Sequence, residues 1–153
     1  MRISDQITLR LISEATQDAS PISEILINNV PTGKRVEGAF LEVVVEWGAF
    51  RLLFLTDDIP NEEMLRVLLL DHNLEPVDSA VIGNPYSTGF FSLLELCEPD
   101  TVRFRFMGGV PWSIQLLSRK RPRIPFFSDP PGILRRFGFS RQFIIKSDPE
   151  AKG

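Results

Sequence analysis

The chain has 153 residues, 43% of them hydrophobic and 24% charged, which suits one globular domain and excludes disorder along its whole length. Its formal net charge of −3 hides a sharp segregation: residues 1–117 carry 8 Lys/Arg against 17 Asp/Glu, whereas residues 118–153 carry 9 against 3. One cysteine, Cys97, excludes an internal disulfide, and with one histidine it leaves too few ligands for a structural zinc site.

Residues 3–12 alternate, with Ile7, Leu9 and Leu11 on one face and Thr8 and Arg10 on the other, the period of a half-buried strand. No apolar stretch follows a basic start, so no secretory signal is expected. Residues 22–30 repeat the alternation weakly. Residues 40–47 are rich in Val and aromatics, and residues 50–56 follow after only Gly48 and Ala49, which predicts a tight hairpin. Residues 64–71 are compatible with a helix opened by Asn61, Glu62 and Glu63. The polar turn that follows at 71–76, and the return of apolar character over 77–82, favour a second hairpin instead.

Residues 83–89 have the turn chemistry of a loop. Residues 90–97 read as a strand, closed by Glu98, Pro99 and Asp100. Over 101–107, Val102, Phe104 and Phe106 oppose Thr101, Arg103 and Arg105; Gly108 and Gly109 break the pattern before a last body strand at 112–117. That is about nine short strands with turn signals between them, the spacing of an antiparallel sandwich or barrel. The longest apolar runs, 52–55 and 67–70, are far short of the ~20 residues a membrane-spanning helix needs. A cytoplasmic location is the default expectation.

Residues 119–153 differ in kind. Pro122, Pro125, Pro130 and Pro131 argue against continuous regular structure between Arg119 and Gly132. Residues 133–137 suit a turn of helix, residues 139–146 a final strand, and residues 147–153 a frayed end.

The chain is poor in the usual bases and nucleophiles. His72 beside Asp71 falls in a predicted turn, where a solvated side chain is expected rather than a catalytic one. Cys97 closes an apolar strand and reads as a packed thiol. Asp57, Asp58, Glu62 and Glu63 lack the alternating spacing of a calcium loop and read as solvated acids. Neither Gly33 to Gly38 nor the Gly108-Gly109 pair forms a phosphate-cradling loop. No catalytic residue, metal ligand or cofactor site is assigned, and no enzymatic activity is expected.

The strongest electrostatic feature is Arg119-Lys120-Arg121-Pro122-Arg123. Together with Arg135 and Arg136 it offers cations to an acidic protein, a nucleic acid or an anionic membrane. Phe126, Phe127, Phe137, Phe139 and Phe143 interleave with Arg135, Arg136 and Arg141, a mixture that can stack on single-stranded nucleic acid. It is also the composition of a basic segment packing onto its own acidic body. The spacing of Arg119, Pro122 and Pro125 fits the ligands of proline-recognition domains. In the body, Glu37, Glu42 and Glu46 suggest an acidic stripe for a cationic partner.

The expectation is an all-β fold, an antiparallel sandwich or partly open barrel of about eight to ten strands. Residues 1–118 form its acidic body and residues 119–146 a basic arm of the same domain. The expected function is non-enzymatic protein–protein binding, of the inhibitor, immunity or accessory type. Nucleic-acid or anionic-membrane binding through the arm, and carriage of an apolar molecule inside a barrel, are the alternatives. Charge and spacing leave oligomeric state open.

Overall fold

A computed structural model describes residues 1–57, 64–83, 89–106, 111–124, 128–135, 138 and 140–147. These residues form thirteen strands and no helix. No helix is therefore long and apolar enough to cross a membrane among the described residues.

In chain order the strands are β1 (Arg2–Ile3), β2 (Ile7–Ser13), β3 (Ile22–Ile27), β4 (Val30–Glu37), β5 (Phe40–Trp47), β6 (Phe50–Thr56), β7 (Leu65–Leu70) and β8 (Pro76–Ile82). They continue as β9 (Ser92–Cys97), β10 (Thr101–Arg105), β11 (Pro111–Pro122), β12 (Ile133–Leu134) and β13 (Ser140–Ser147). Three antiparallel sheets result, ordered β1-β5-β6-β7-β8-β12, β13-β11-β10-β9 and β2-β3-β4. The expected antiparallel sandwich is present, with three sheets that do not close into a barrel.

The six-stranded sheet is covered on both faces. Leu52 and Phe54 of β6 enter one core with Val102, Phe104, Trp112, Ile114 and Phe143 of the four-stranded sheet. Leu53 and Leu55 enter a second core with Ile7, Ile25 and Val36 of the three-stranded sheet. This explains the continuous apolar run at 52–55. A strand buried on one face alternates, whereas one buried on both has no polar positions to show. The first core is built around aromatic rings, with Phe54 and Phe104 edge to face at 5.1 Å and Phe54 and Phe91 at 4.9 Å.

Turn chemistry sets the registers. Gly48, at φ 57°, opens the two-residue loop that pairs Trp47 with Phe50. Asn28 and Asn29 lie at φ 49° and 66° and pair Ile27 with Val30, the left-handed pair a tight hairpin loop demands. Residues 22–30 are thus a strand, a turn and the start of another strand. Residues 64–71 contribute β7, paired with β6 on one side and β8 on the other, as the hairpin expectation had it.

Two expectations for the C-terminal segment are corrected. β11 continues through Arg119, Lys120 and Arg121 and stops at Pro122, so the charge break falls inside a 12-residue strand. Pro122 interrupts nothing because it is the strand's last residue. Residues 133–134 are not helical: Ile133 and Leu134 pair with Ile82 and Val81 and form β12 on the edge of the central sheet.

Candidate functional site

Local structure sorts the basic segment into two groups. The first faces inward. Arg135, with 2% of its side chain exposed, donates from Nη1 to both Asp78 carboxylate oxygens at 2.8 Å. Its Nε lies 3.1 Å from Asp129, its Nη2 donates to the Phe143 carbonyl at 2.9 Å, and its guanidinium covers the Phe143 ring at 4.5 Å. Asp78 also accepts the backbone amides of Gln142 at 2.7 Å and Phe143 at 3.2 Å. Arg123, with 5% of its side chain exposed, lies 3.8 Å from Asp129. A buried guanidinium needs an acid beside it. Arg123 and Arg135, each beside a carboxylate and almost wholly buried, are therefore internal ties and not the partner contacts expected from the sequence. Arg136 lies outside the described residues, as do Phe126, Phe127, Phe137 and Phe139.

The second group faces outward. β11 outruns its neighbour: its pairing with β10 ends at Gln115. On the other side, Leu116 opposes Phe143 and Arg121 opposes Arg141, so four β11 residues, 117 to 120, stand where β13 has only Gln142. This large bulge lifts Arg119 and Lys120 out of the ladder, and Ser118 to Pro122 are all exposed. Among the described residues, no carboxylate lies within ion-pair distance of Arg119, Lys120, Arg121 or Arg141. Arg141 donates from Nη1 to the Ser128 carbonyl at a long 3.4 Å, and its Nε is buried without a hydrogen-bond partner. The sequence names Arg141 only within the aromatic–basic mixture and not among the contact residues, because its placement depends on a strand register that no local pattern reveals.

The expected acidic stripe is engaged within the chain. Glu46 pairs with Arg2 at 2.6 Å, and this hydrogen bond holds its carboxyl below the usual value. Glu42, the extra residue of a β5 bulge, accepts the Thr56 hydroxyl at 2.9 Å. Glu37 accepts from Arg66 at 2.9 Å. Arg66 also grips both oxygens of Asp57 at 2.9 Å and donates to the Ser20 hydroxyl at 2.8 Å. Asp57 is therefore a buried counter-ion and not a solvated loop acid. Its sequence neighbours in that cluster, Asp58, Glu62 and Glu63, lie outside the described residues.

The other polar candidates have local explanations. His72 is exposed in the β7–β8 turn. There the Asp71 carboxylate accepts the amides of Asn73 and Glu75, and the Glu75 amide leads in holding it below its usual value. Cys97 is half-buried, and burial followed by nearby Glu95 raises its thiol. Among the described residues no three His, Cys, Asp or Glu side chains gather as a metal site.

What remains is a compact cationic end on an otherwise acidic chain: Arg119, Lys120 and Arg121 on β11, with Arg141 opposite on β13. It can hold carboxylates or phosphates by charge and by guanidinium forks. The chain matches no protein-family model, no curated protein and no solved structure.

Proposed function

We propose that this protein is a non-enzymatic binding protein that docks an acidic segment of a protein partner on the cationic end of β11. The observation that carries this is the lack of counter-ions. Arg123 and Arg135 are neutralised by Asp129 and Asp78, while Arg119, Lys120, Arg121 and Arg141 have no acidic neighbour among the described residues. Charge of this kind steers association and fixes the orientation of a complementary partner.

A short acidic peptide suits the patch better than a nucleic acid does. The patch is a few residues long, and a polyphosphate tracking beyond it meets a body with 17 acidic residues against 8 basic ones. Phe143, one ring that could have stacked on bases, is buried beneath Arg135.

The test is fluorescence anisotropy with labelled octaglutamate and, in parallel, labelled oligothymidylate. Binding of octaglutamate that weakens with salt and is lost when Arg119, Lys120 and Arg121 are all changed to Ala supports the reading. Equal affinity in the triple variant, or a clear preference for oligothymidylate, overturns it.

A further inference from the structure

Resting on that reading, we infer that Arg121 and Arg141 form a two-arginine clamp that seats one carboxylate of the acidic segment, with Arg119 and Lys120 as flanking charges.

The two residues are direct cross-strand partners. Side chains so placed start ~5 Å apart at Cβ and project on the same side of the ladder, and like charges in this relation repel. No acid relieves the repulsion among the described residues. A carboxylate between the two guanidiniums would remove it, since its two oxygens can each accept from one of them.

Arg141 carries a second mark of an incomplete site. Its Nε is a buried donor without an acceptor, and among the described residues its head group is held only by the long Nη1 donation to Ser128. An unmet buried donor is costly; the Nε atoms of Arg103 and Arg123 are unmet as well, but each of those guanidiniums lies within 4 Å of a carboxylate, and Arg141 has none among the described residues. A neighbouring arginine shows the solved version of this problem. Arg135 packs on Phe143, two residues along β13 from Arg141, and there Asp78 accepts from the guanidinium with both oxygens. Among the described residues, carboxylates serve Arg135 and none serves Arg141. The partner's carboxylate would do for Arg141 what Asp78 does for Arg135.

The bulge sets the specificity. Because residues 117 to 120 oppose Gln142 alone, the ladder resumes only at Arg121–Arg141, which Pro122–Ser140 follows. Arg119 and Lys120 stand off the ladder beside it, where they add attraction without fixed geometry. One carboxylate is then bound by hydrogen bonds from both guanidiniums, and its neighbours in the segment only by field.

Octaglutamate binding to single variants of the full chain tests the clamp. Arg121→Gln and Arg141→Gln are each expected to weaken binding by about tenfold or more, and Lys120→Ala by roughly two- to threefold. The double Arg121→Gln/Arg141→Gln variant is expected to be little weaker than either single, because one ligand group is shared. Arg141→Lys keeps the charge and the stem but loses the fork, so binding about tenfold weaker is expected there too. It also guards against a folding defect in Arg141→Gln. Wild-type affinity in both Arg141 variants, with binding still lost in the Arg119/Lys120/Arg121→Ala variant, overturns the clamp and leaves the docking surface standing. Wild-type affinity in all of them overturns both.

Discussion

Asp78 on β8 and Arg135 just beyond β12 meet at 2.8 Å across 57 residues of sequence, and their pairing ties the basic C-terminal segment to the acidic body. The Asp78 carboxylate at the same time accepts amides from Gln142 and Phe143, so one side chain holds both Arg135 and the backbone of β13. Removing one member of a buried pair strands the other. Asp78→Ala or Arg135→Ala is expected to cost about 3–5 kcal/mol. In a domain of this size that is a melting-temperature drop of roughly 10 °C, readable by calorimetry. A drop below about 2 °C would show that the tie does not hold the segment.

Coverage of the central sheet on both faces makes a separate claim. Phe54→Ala removes a fully buried ring from the first core and Leu53→Ala a fully buried side chain from the second. Losses of about 3–5 and 2–5 kcal/mol are expected in urea unfolding. A near-neutral Leu53→Ala would mean that the three-stranded sheet does not cover that face.

Trypsin should distinguish the two groups of cations. Arg119 and Lys120 lie beyond the reach of β10 and off the β13 ladder, so cleavage is expected there first. Arg123 and Arg135, buried against Asp129 and Asp78, should be spared under the same conditions. First cleavage at Arg123 or Arg135, mapped by mass spectrometry, would contradict this sorting.

Stability should fall in acid. Glu24 accepts from the Gly33 amide and pairs with Arg10, Glu46 pairs with Arg2, and Asp71 caps its turn; all three carboxyls are held below their usual values. A carboxyl lowered in the folded state stabilises the fold above its unfolded value and loses that contribution as pH falls through the folded one. The melting temperature is therefore expected to be level near neutrality and to decline below the ordinary carboxylate range. Glu24→Gln should flatten the decline. An unchanged profile in that variant would remove Glu24 from the account.

Much of the strand layout was legible because local rules governed it. Val102 and Phe104 against Thr101, Arg103 and Arg105 gave a clean period of two, and β10 follows it in burial. Gly48 and Ala49 marked a hairpin that needs a positive φ. The Asn28-Asn29 turn carried the same kind of signal but sat inside a weak apolar alternation that masked it. The site was less legible. Arg119 and Arg123 are the same residue type four positions apart, yet one is exposed and the other buried. What separates them is the position of Asp129, which charge counting along the chain cannot supply. The opposition of Arg121 and Arg141 likewise follows from a bulge that only the assembled sheet defines.

The central claim is that the exposed end of β11 recognises acidic protein, and charge reversal tests it most directly. Arg119, Lys120 and Arg121 make no ion pair among the described residues, so changing all three to Glu breaks none and should leave the melting temperature close to that of the wild type. Anisotropy with octaglutamate is then the decisive measurement. The expected result is binding by the wild-type protein that weakens as salt rises, and none by the reversed variant. Octaglutamate binding of equal strength in a folded reversed variant would contradict the claim.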